Sequence, residues 1–212
     1  MSAAGCMGGT DVWYSFTLAQ NELVYVDTFG AGFDTRVGLV NACGAAATCN
    51  DNACTLSQSQ VIAVLPAGTH YIVVGGLTQQ AFNLHVQHIP VPGPVNGTLA
   101  NSFSAAGNNA GAPTFAFSCG GGSAAETNSW YWLSCPSSPA GSMSANTCSA
   151  SWDTELMFTN GDGSAGACND DSCGLESSIS GTVPAGAGLH VVQIRGYSTG
   201  ETGAYTISGT HP

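Results

Sequence analysis

The residues with the clearest potential for chemistry are acidic and amide side chains close to cysteines. In the first half of the chain, Asp34 opens an Asp-Thr pair, and Asn50 and Asp51 lie between Cys49 and Cys54. Calcium takes six to eight oxygen ligands from carboxylates, amides and main-chain carbonyls. A short loop with two such side chains, joined by one carboxylate from outside it, supplies part of that set. The pattern therefore predicts a Ca²⁺ site in this half.

The second half repeats the pattern inside another C-x4-C loop and adds one more charge. Its corresponding residues are Asp153, Asn169, Asp170 and Asp171. Asp171 stands where the first half has Asn52, so the second half is better supplied with ligands. A structural alternative stays open, because Asp and Asn side chains commonly hydrogen-bond the backbone of turns. On that interpretation the same residues cap loop amides and bind no metal.

The acidic motifs belong to an internal repeat that spans most of the chain. The matched segments, 117 to 120 residues apart, are 11–16 with 128–133, 32–37 with 151–156, 49–54 with 168–173, and 65–70 with 183–190. A proline-rich segment, 89–95, separates the two copies and is typical of an extended linker. The sequence therefore predicts one domain at 1–88 and a second at 96–212.

Within each copy, short apolar runs alternate with turn residues. In the first copy these runs predict strands at 12–16, 23–28, 36–40, 61–65, 70–74 and 82–86. No window carries the long apolar stripe of a helix. The fold class expected is all-β, with two tandem antiparallel β-sandwich domains of jelly-roll-like form that disulfides staple.

Nine cysteines among 212 residues indicate an oxidising compartment and therefore a secreted, extracellular or cell-surface protein. The shared C-x4-C spacing predicts the disulfides Cys49–Cys54 and Cys168–Cys173. The remaining pairs expected are Cys6–Cys43 and Cys135–Cys148, which leave one thiol over. A four-thiolate metal site is the alternative, but the two C-x4-C loops belong to different copies.

Charge limits the partners. The chain has two arginines, no lysine and 13 carboxylates, for a net charge of −11. Binding to a nucleic-acid backbone requires several cationic side chains, so no nucleic-acid partner is expected. Anionic membranes are repelled for the same reason, and no apolar stretch reaches the roughly 20 residues of a membrane span. Divalent cations and uncharged polymers remain as partners.

The ordered set of motifs resembles the bacterial pre-peptidase C-terminal (PPC) domain family. The residues that carry the resemblance are Asp11 to Tyr14, Phe33 to Thr35, Asn50 and Asp51, and Leu65 to Tyr71 in the first copy, and Trp130 and Tyr131, Trp152 to Thr154, Asn169 to Asp171, and Pro184 to Gly186 in the second. The resemblance implies a jelly-roll-like sandwich in each copy. It also implies a role in secretion, maturation or attachment, without catalysis.

The two copies differ at their starts. The second has a candidate opening strand from Asn96 to Phe103, whereas the first begins at Ser2 to Gly5, which matches 104–107. An unfilled sheet edge is open to pairing with another chain. A structural subunit that forms extracellular filaments by strand complementation is thus one alternative function. The other explanation is that the sequence was simply cut there.

An enzymatic interpretation is the weakest. Two Asp-Thr pairs suggest an aspartic-protease dyad, but Arg36 and Glu155 follow them where that site needs glycine. His70 and His190 are expected to be half-buried strand residues, without a nucleophile beside them. His85 and His88 are three positions apart on a strand, so they are not expected to share a metal.

The four tryptophans offer either a sugar-binding platform or core anchors. Trp13 and Trp130 match between the copies, and Trp132 and Trp152 replace other apolar residues, so burial of all four is expected. Together these features predict a non-catalytic module that binds a protein, polysaccharide or cell-surface partner.

Overall fold

The structure, a computed structural model, describes residues 11–40, 46–76, 78, 80–116, 123–160 and 165–212. The secondary structure of these residues is built from strands, which confirms the all-β prediction. In this part of the chain no helix is long and apolar enough to cross a membrane. The chain divides into two compact units, Met1–Pro90 and Val91–Pro212, which are called unit 1 and unit 2 below.

Unit 1 contains two described sheets. Its strands are β1 (Val12–Leu18), β2 (Glu22–Asp27), β3 (Thr35–Val40), β4 (Ala46–Asn50), β5 (Gln60–Leu65), β6 (Gly68–Gly76) and β7 (His85–Pro90). Their order is β1-β6-β3-β4 in one sheet and β5-β2-β7 in the other. All these neighbours pair antiparallel.

Unit 2 repeats this arrangement and adds strands. They are β8 (Val95–Thr98), β9 (Ser102–Asn108), β10 (Thr114–Phe115), β11 (Ala125–Ser134), β12 (Gly141–Asn146), β13 (Thr154–Thr159), β14 (Ala165–Asn169), β15 (Ser178–Val183), β16 (Gly188–Gly196) and β17 (Ala204–Thr210). One sheet has the order β10-β11-β16-β13-β14, and the other has β15-β12-β17-β9. Strand β8 joins the first sheet by a parallel pairing with β11.

The predicted strands of the first copy agree with the structure except near its end. The strand predicted at 82–86 is wrong, because the observed strand β7 spans His85–Pro90. Strand β4 is additional, since it contains Cys49 and Asn50, which the sequence pattern places in a loop. Pairing with β3 gives this segment its extended form. Between β7 and β8 only residues 91–94 lie outside strands.

The core of unit 1 follows the period-two pattern of its strands. Val37 and Leu39 of β3 and Val24 and Val26 of β2 are completely buried in one cluster. Alternate residues of a strand point to the same face, so each pair lies on the inner face of its sheet. Burying one such side chain contributes about 1.5–3 kcal/mol.

Unit 2 has a more aromatic core. Trp132 of β11 stacks on Phe158 of β13, with ring centroids 5.5 Å apart. Leu156, Ile194 and Ile207 are completely buried in the same cluster. Burial of Trp132 agrees with the prediction from the sequence.

The prediction that Trp13 is a core anchor equivalent to Trp130 is wrong. Trp13 is 37% exposed, whereas Trp130 is 8% exposed. Register explains the difference: Phe16 pairs across with His70, and Trp132, not Leu133, pairs across with the matching His190. A shift of one residue in a strand moves every side chain to the other face.

The opening strand predicted for the second copy at 96–103 is observed as two separate strands, β8 and β9, which belong to different sheets. The segment expected to form it contributes residues to both β8 and β9, and β9 pairs along β17. In the first copy the matching positions, 2–5, lie outside the described residues. Self-association through an unfilled edge of unit 1 therefore stays a prediction.

Two predicted disulfides of the second copy are wrong. Cys148 bonds to Cys173, with 5.7 Å between their Cα atoms, so neither Cys168–Cys173 nor Cys135–Cys148 forms. Cys168 is held in β14 by pairing with β13, whereas the following loop carries Cys173 to the end of β12. Both Cys135 and Cys168 are nevertheless in disulfides.

In the first copy Cys49 and Cys54 are each in a disulfide. Unit 2 shows that the C-x4-C spacing alone does not select the partner, so the pairing Cys49–Cys54 stays a prediction. Cys6, Cys43 and Cys119, and with them the expected Cys6–Cys43 bond, lie outside the described residues.

The Cys148–Cys173 bond spans 25 positions in sequence, so it restrains the unfolded chain more than a C-x4-C loop does. We expect the double variant C148A/C173A to lower the free energy of unfolding of unit 2 by about 3 kcal/mol. Denaturant titration of the variant and the parent measures this loss. Non-reducing peptide mapping provides the check on connectivity, and a Cys168–Cys173 linked peptide contradicts the assignment.

Candidate metal centre

Three buried hydroxyl groups position the acidic loop of unit 2. Thr147 follows β12, Thr154 begins β13, and Ser177 precedes β15, so the trio joins the two sheets. The Oγ1 atoms of Thr147 and Thr154 are 2.6 Å apart, and the Ser177 amide donates to Thr154 Oγ1 at 3.0 Å. Ser177 Oγ also donates to the main-chain oxygen of Asp170. The trio therefore fixes Asp153, the neighbour of Thr154, beside Asp170.

Unit 1 contains the same trio, 118 or 119 positions earlier. Thr28 Oγ1 and Thr35 Oγ1 are 2.6 Å apart, and the Ser59 amide donates to Thr28 Oγ1 at 3.1 Å. Ser59 Oγ donates to the main-chain oxygen of Thr35 at 2.5 Å. The threonine of each Asp-Thr pair is thus an interior anchor. The trio explains why a threonine follows the aspartate in both copies, an explanation that the sequence pattern did not reveal.

The structure brings together three of the predicted ligands of the second copy. One carboxylate oxygen from each of Asp153, Asp170 and Asp171 lies within 4.8 Å of the other two. Asp153 and Asp170 are half-buried, and Asp171 is exposed. The Oδ1 atoms of Asp153 and Asp170 are shielded from solvent and accept no hydrogen bond. Two desolvated carboxylate oxygens without donors are costly unless a cation or a proton compensates them.

A fourth carboxylate, which the sequence analysis did not identify as a site residue, lies next to this cluster. Glu155 is completely buried and forms an ion pair with Arg195, its cross-strand neighbour on β16. Arg195 is also completely buried and donates to the main-chain oxygens of Phe115 and Ser123. Glu155 Oε1 accepts no hydrogen bond. The single guanidinium is shared among several carboxylates.

This crowding raises the pKa values of the carboxyl groups. Burial raises the pKa of Asp153 to about 6, assisted by the negative charges of Glu201 and Asp170. Burial raises the pKa of Glu155 to about 7, although Arg195 acts in the opposite direction. Burial and Asp171 also raise the pKa of Asp170. The site thus disfavours its own ionised state and would be stabilised by bound positive charge.

The two asparagines predicted as metal ligands, Asn50 and Asn169, instead accept hydrogen bonds from backbone amides. Asn169 Oδ1 accepts a hydrogen bond from the amide of Ser178 at 3.2 Å. Asn50 Oδ1 accepts the equivalent bond from the amide of Gln60 at 3.3 Å. Each asparagine therefore ties its loop to the strand that follows. Capping explains these two amides, and the aspartates of unit 2 remain for a metal.

The matching acidic residues of unit 1 are arranged differently. Arg36 Nε donates to Asp51 Oδ1 at 2.9 Å in a partly exposed ion pair, which gives that carboxylate a cation from the same chain, called the internal cation below. Asp34 Oδ1 is shielded from solvent and accepts no hydrogen bond. Over the ranges that the structure describes, the only group of three close metal-binding side chains is that of unit 2.

The histidines provide no further centre. His70 and His190 are more buried than predicted, at 4% and 3% exposure. His190 Nε2 lies 3.0 Å from Ser134 Oγ, but its Nδ1 has no hydrogen-bond partner to orient the ring. Burial, together with His211, lowers the pKa of His190 to about 4. This Ser–His contact is therefore part of the core.

His85 and His88 bind separate carboxylates. His85 Nδ1 lies 2.9 Å from Asp27 Oδ1, and His88 Nδ1 bonds to Glu22 Oε2. Asp27 and Glu22 are at opposite ends of β2. The two pairs are thus held apart by the length of that strand.

The raised pKa values predict how metal-free unit 2 responds to pH. Because folded Asp153 binds its proton more tightly than the unfolded chain does, its contribution to stability is present below about pH 4 and is lost as pH rises through 6. D153N removes this loss, so we expect the variant to be more stable than the parent at pH 7.5 in EDTA and equal to it near pH 4.

Thermal unfolding of parent and variant from pH 4 to 8 measures this difference. Comparison at each pH cancels the opposite contribution of His190, whose lowered pKa favours the folded state at higher pH. A D153N advantage that does not change with pH contradicts the electrostatic explanation.

Comparisons with known proteins do not assign a family. No protein-family model and no curated protein matches the sequence. Among solved structures, the CUB1-EGF-CUB2 region of human MASP-1/3 is 8% identical, with a TM-score of 0.27, over 95% of this chain and 92% of that one. The M60 catalytic domain with two CBM51 domains of Clostridium perfringens ZmpB is 7% identical, with a TM-score of 0.27, over 95% of this chain and 34% of that one. An isomalto-dextranase of Arthrobacter globiformis is 12% identical, with a TM-score of 0.25, over 98% of this chain and 33% of that one. Scores this low establish neither a shared fold nor a shared function.

Proposed function

We propose that this chain is a secreted, non-catalytic binding module whose unit 2 is stabilised by one Ca²⁺ ion. The observation that carries the proposal is the cluster of Asp153, Asp170 and Asp171, in which two carboxylate oxygens are desolvated and have no donor. Fully buried Glu155 beside them adds another oxygen without a hydrogen bond.

The donor set selects the class of metal. All three clustered side chains offer carboxylate oxygens, with no thiolate or imidazole, and this favours a hard cation. Two oxygens on opposite sides of a Ca²⁺ ion lie about 4.6–5.2 Å apart, which accommodates oxygens within 4.8 Å of one another. Main-chain carbonyls and water would complete a coordination shell of six to eight.

The Cys148–Cys173 disulfide and the exposed loop that it holds support the secreted location and the binding role. Disulfides such as Cys148–Cys173 persist in oxidising compartments, which fits a secreted or cell-surface protein. The same bond holds the 170–176 loop, which exposes Asp171 and 60% of Leu175. A pinned loop that presents an apolar side chain next to a cation site suits contact with an extracellular protein or polysaccharide.

The absence of catalysis is part of this proposal. The threonines of both Asp-Thr pairs are occupied in the hydroxyl trios, and the Ser134–His190 contact is buried without an orienting acid. We expect no turnover in a screen of peptide and glycoside substrates. Activity that disappears in D153A or D34A would contradict this part and favour a hydrolase.

Calcium binding is tested by substitution of one ligand in each unit. Because D153N removes a charged ligand, we expect it to weaken Ca²⁺ binding at least about tenfold, equivalent to about 1.4 kcal/mol. In the parent, Ca²⁺ at 100 times its Kd would stabilise unit 2 by about 2.7 kcal/mol. Titration calorimetry and thermal unfolding with CaCl₂ measure both effects.

The matched control is D34N, which makes the same change at the equivalent position of unit 1. It should retain the affinity of the parent for Ca²⁺ and its thermal shift. Absence of any heat or shift with millimolar CaCl₂ in the parent would overturn the proposal and favour a purely structural role for these aspartates.

A further inference from the structure

The two units place opposite charges at one equivalent position beside the acidic loop. Arg36 is the second residue of β3, and Glu155 is the second residue of β13. Each follows the threonine of an Asp-Thr pair. Across the sheet, Arg36 faces Gly75, and Glu155 faces Arg195. Unit 1 therefore has a guanidinium on β3 at the position where unit 2 has a carboxylate on β13.

Arg36 reaches the loop carboxylate directly. Its Nε donates to Asp51 Oδ1 at 2.9 Å, and its charge also interacts with Asp34. Asp51 is the equivalent of Asp170, whose Oδ1 is shielded and accepts no hydrogen bond. The same loop position therefore has a cation in unit 1 and lacks a direct one in unit 2.

Charge counts separate the two sites further. In unit 1 the carboxylates of Asp34 and Asp51 face one guanidinium, which leaves one net negative charge. In unit 2 the carboxylates of Asp153, Asp170, Asp171 and Glu155, with Glu201 close by, face the single guanidinium of Arg195, so the fully ionised site has at least three net negative charges. Unit 2 therefore carries the excess charge that a divalent cation would neutralise, and unit 1 does not.

We infer that Arg36 takes, in unit 1, the place that the divalent cation takes in unit 2, so that each chain binds one Ca²⁺ ion and only unit 2 responds to it. The inference rests on the proposed calcium site. A guanidinium attached to the chain is always present and always charged, whereas an ion must be supplied by the solution. The loop carboxylate of unit 1 is then partly neutralised at every calcium concentration, and the carboxylates of the unit 2 loop only when calcium is available.

Removal of the internal cation should create a second site. The double variant R36Q/N52D deletes the guanidinium and supplies the counterpart of Asp171. We expect titration with CaCl₂ to give one ion per chain for the parent and two for this variant. The matched control R36K/N52D keeps a positive charge in unit 1 and should bind one.

The stoichiometry of the parent distinguishes this inference from the proposed function. Two ions per parent chain would overturn the role of Arg36 and leave the calcium site of unit 2 intact. No binding would overturn both. One ion bound by a folded R36Q/N52D variant, as judged by circular dichroism, would also overturn the inference.

A second measurement does not depend on the folding of a variant. Hydrogen exchange of the parent with and without CaCl₂ reports each loop separately. Slower exchange confined to amides of 168–177 is the expected result. Calcium-dependent protection of 49–58 would contradict the inference, because unit 1 would then bind the ion in spite of Arg36.

Discussion

A buried trio of hydroxyl groups is the constraint on which each unit depends. Thr147, Thr154 and Ser177 meet where the two sheets of unit 2 approach each other, and their hydrogen bonds satisfy groups that water cannot reach. Loss of one partner would leave a buried donor or acceptor unpaired, at a cost of about 1–3 kcal/mol. Because Thr154 follows Asp153 and Ser177 holds the Asp170 carbonyl, the same bonds that join the sheets also bring the carboxylates together.

This packing places carboxylates close together, and their repulsion has to be compensated. Burial removes water from carboxylates that repel one another, and the protein compensates in two ways. Unit 1 uses the guanidinium of Arg36, and unit 2 uses Arg195 for buried Glu155 while the three aspartates of the loop lack an equivalent. Protons and metal ions compete for such a site, because either one neutralises charge that the fold has desolvated.

Local patterns in the sequence correctly predicted the structural features that depend on residues close together in the chain. The repeat, the strands and the closeness of Asp170 to Asp171 follow from spacing, since neighbouring loop residues stay close. Asp153 joins them because β13 pairs with β14, and the repeat of the motif pointed to it. The failures arise from contacts across the sheets. The Glu155–Arg195 pair joins residues of adjacent strands, the exposure of Trp13 depends on register, and the disulfide partner of Cys173 lies beyond the loop that contains it. Spacing along the chain carries little information about such pairs.

The disulfide of unit 2 holds the same loop that carries the acidic residues. Phe29 occupies the position of Cys148 in unit 1, so that unit cannot form the equivalent bond with Cys54. There the Arg36–Asp51 pair draws the loop toward β3 by attraction. In unit 2 the loop carries Asp170 and Asp171 without such an ion pair, and a covalent bond from Cys148 to Cys173 holds it instead. The unit that lacks an internal cation at its loop is thus the one in which a covalent bond ties that loop to the end of β12.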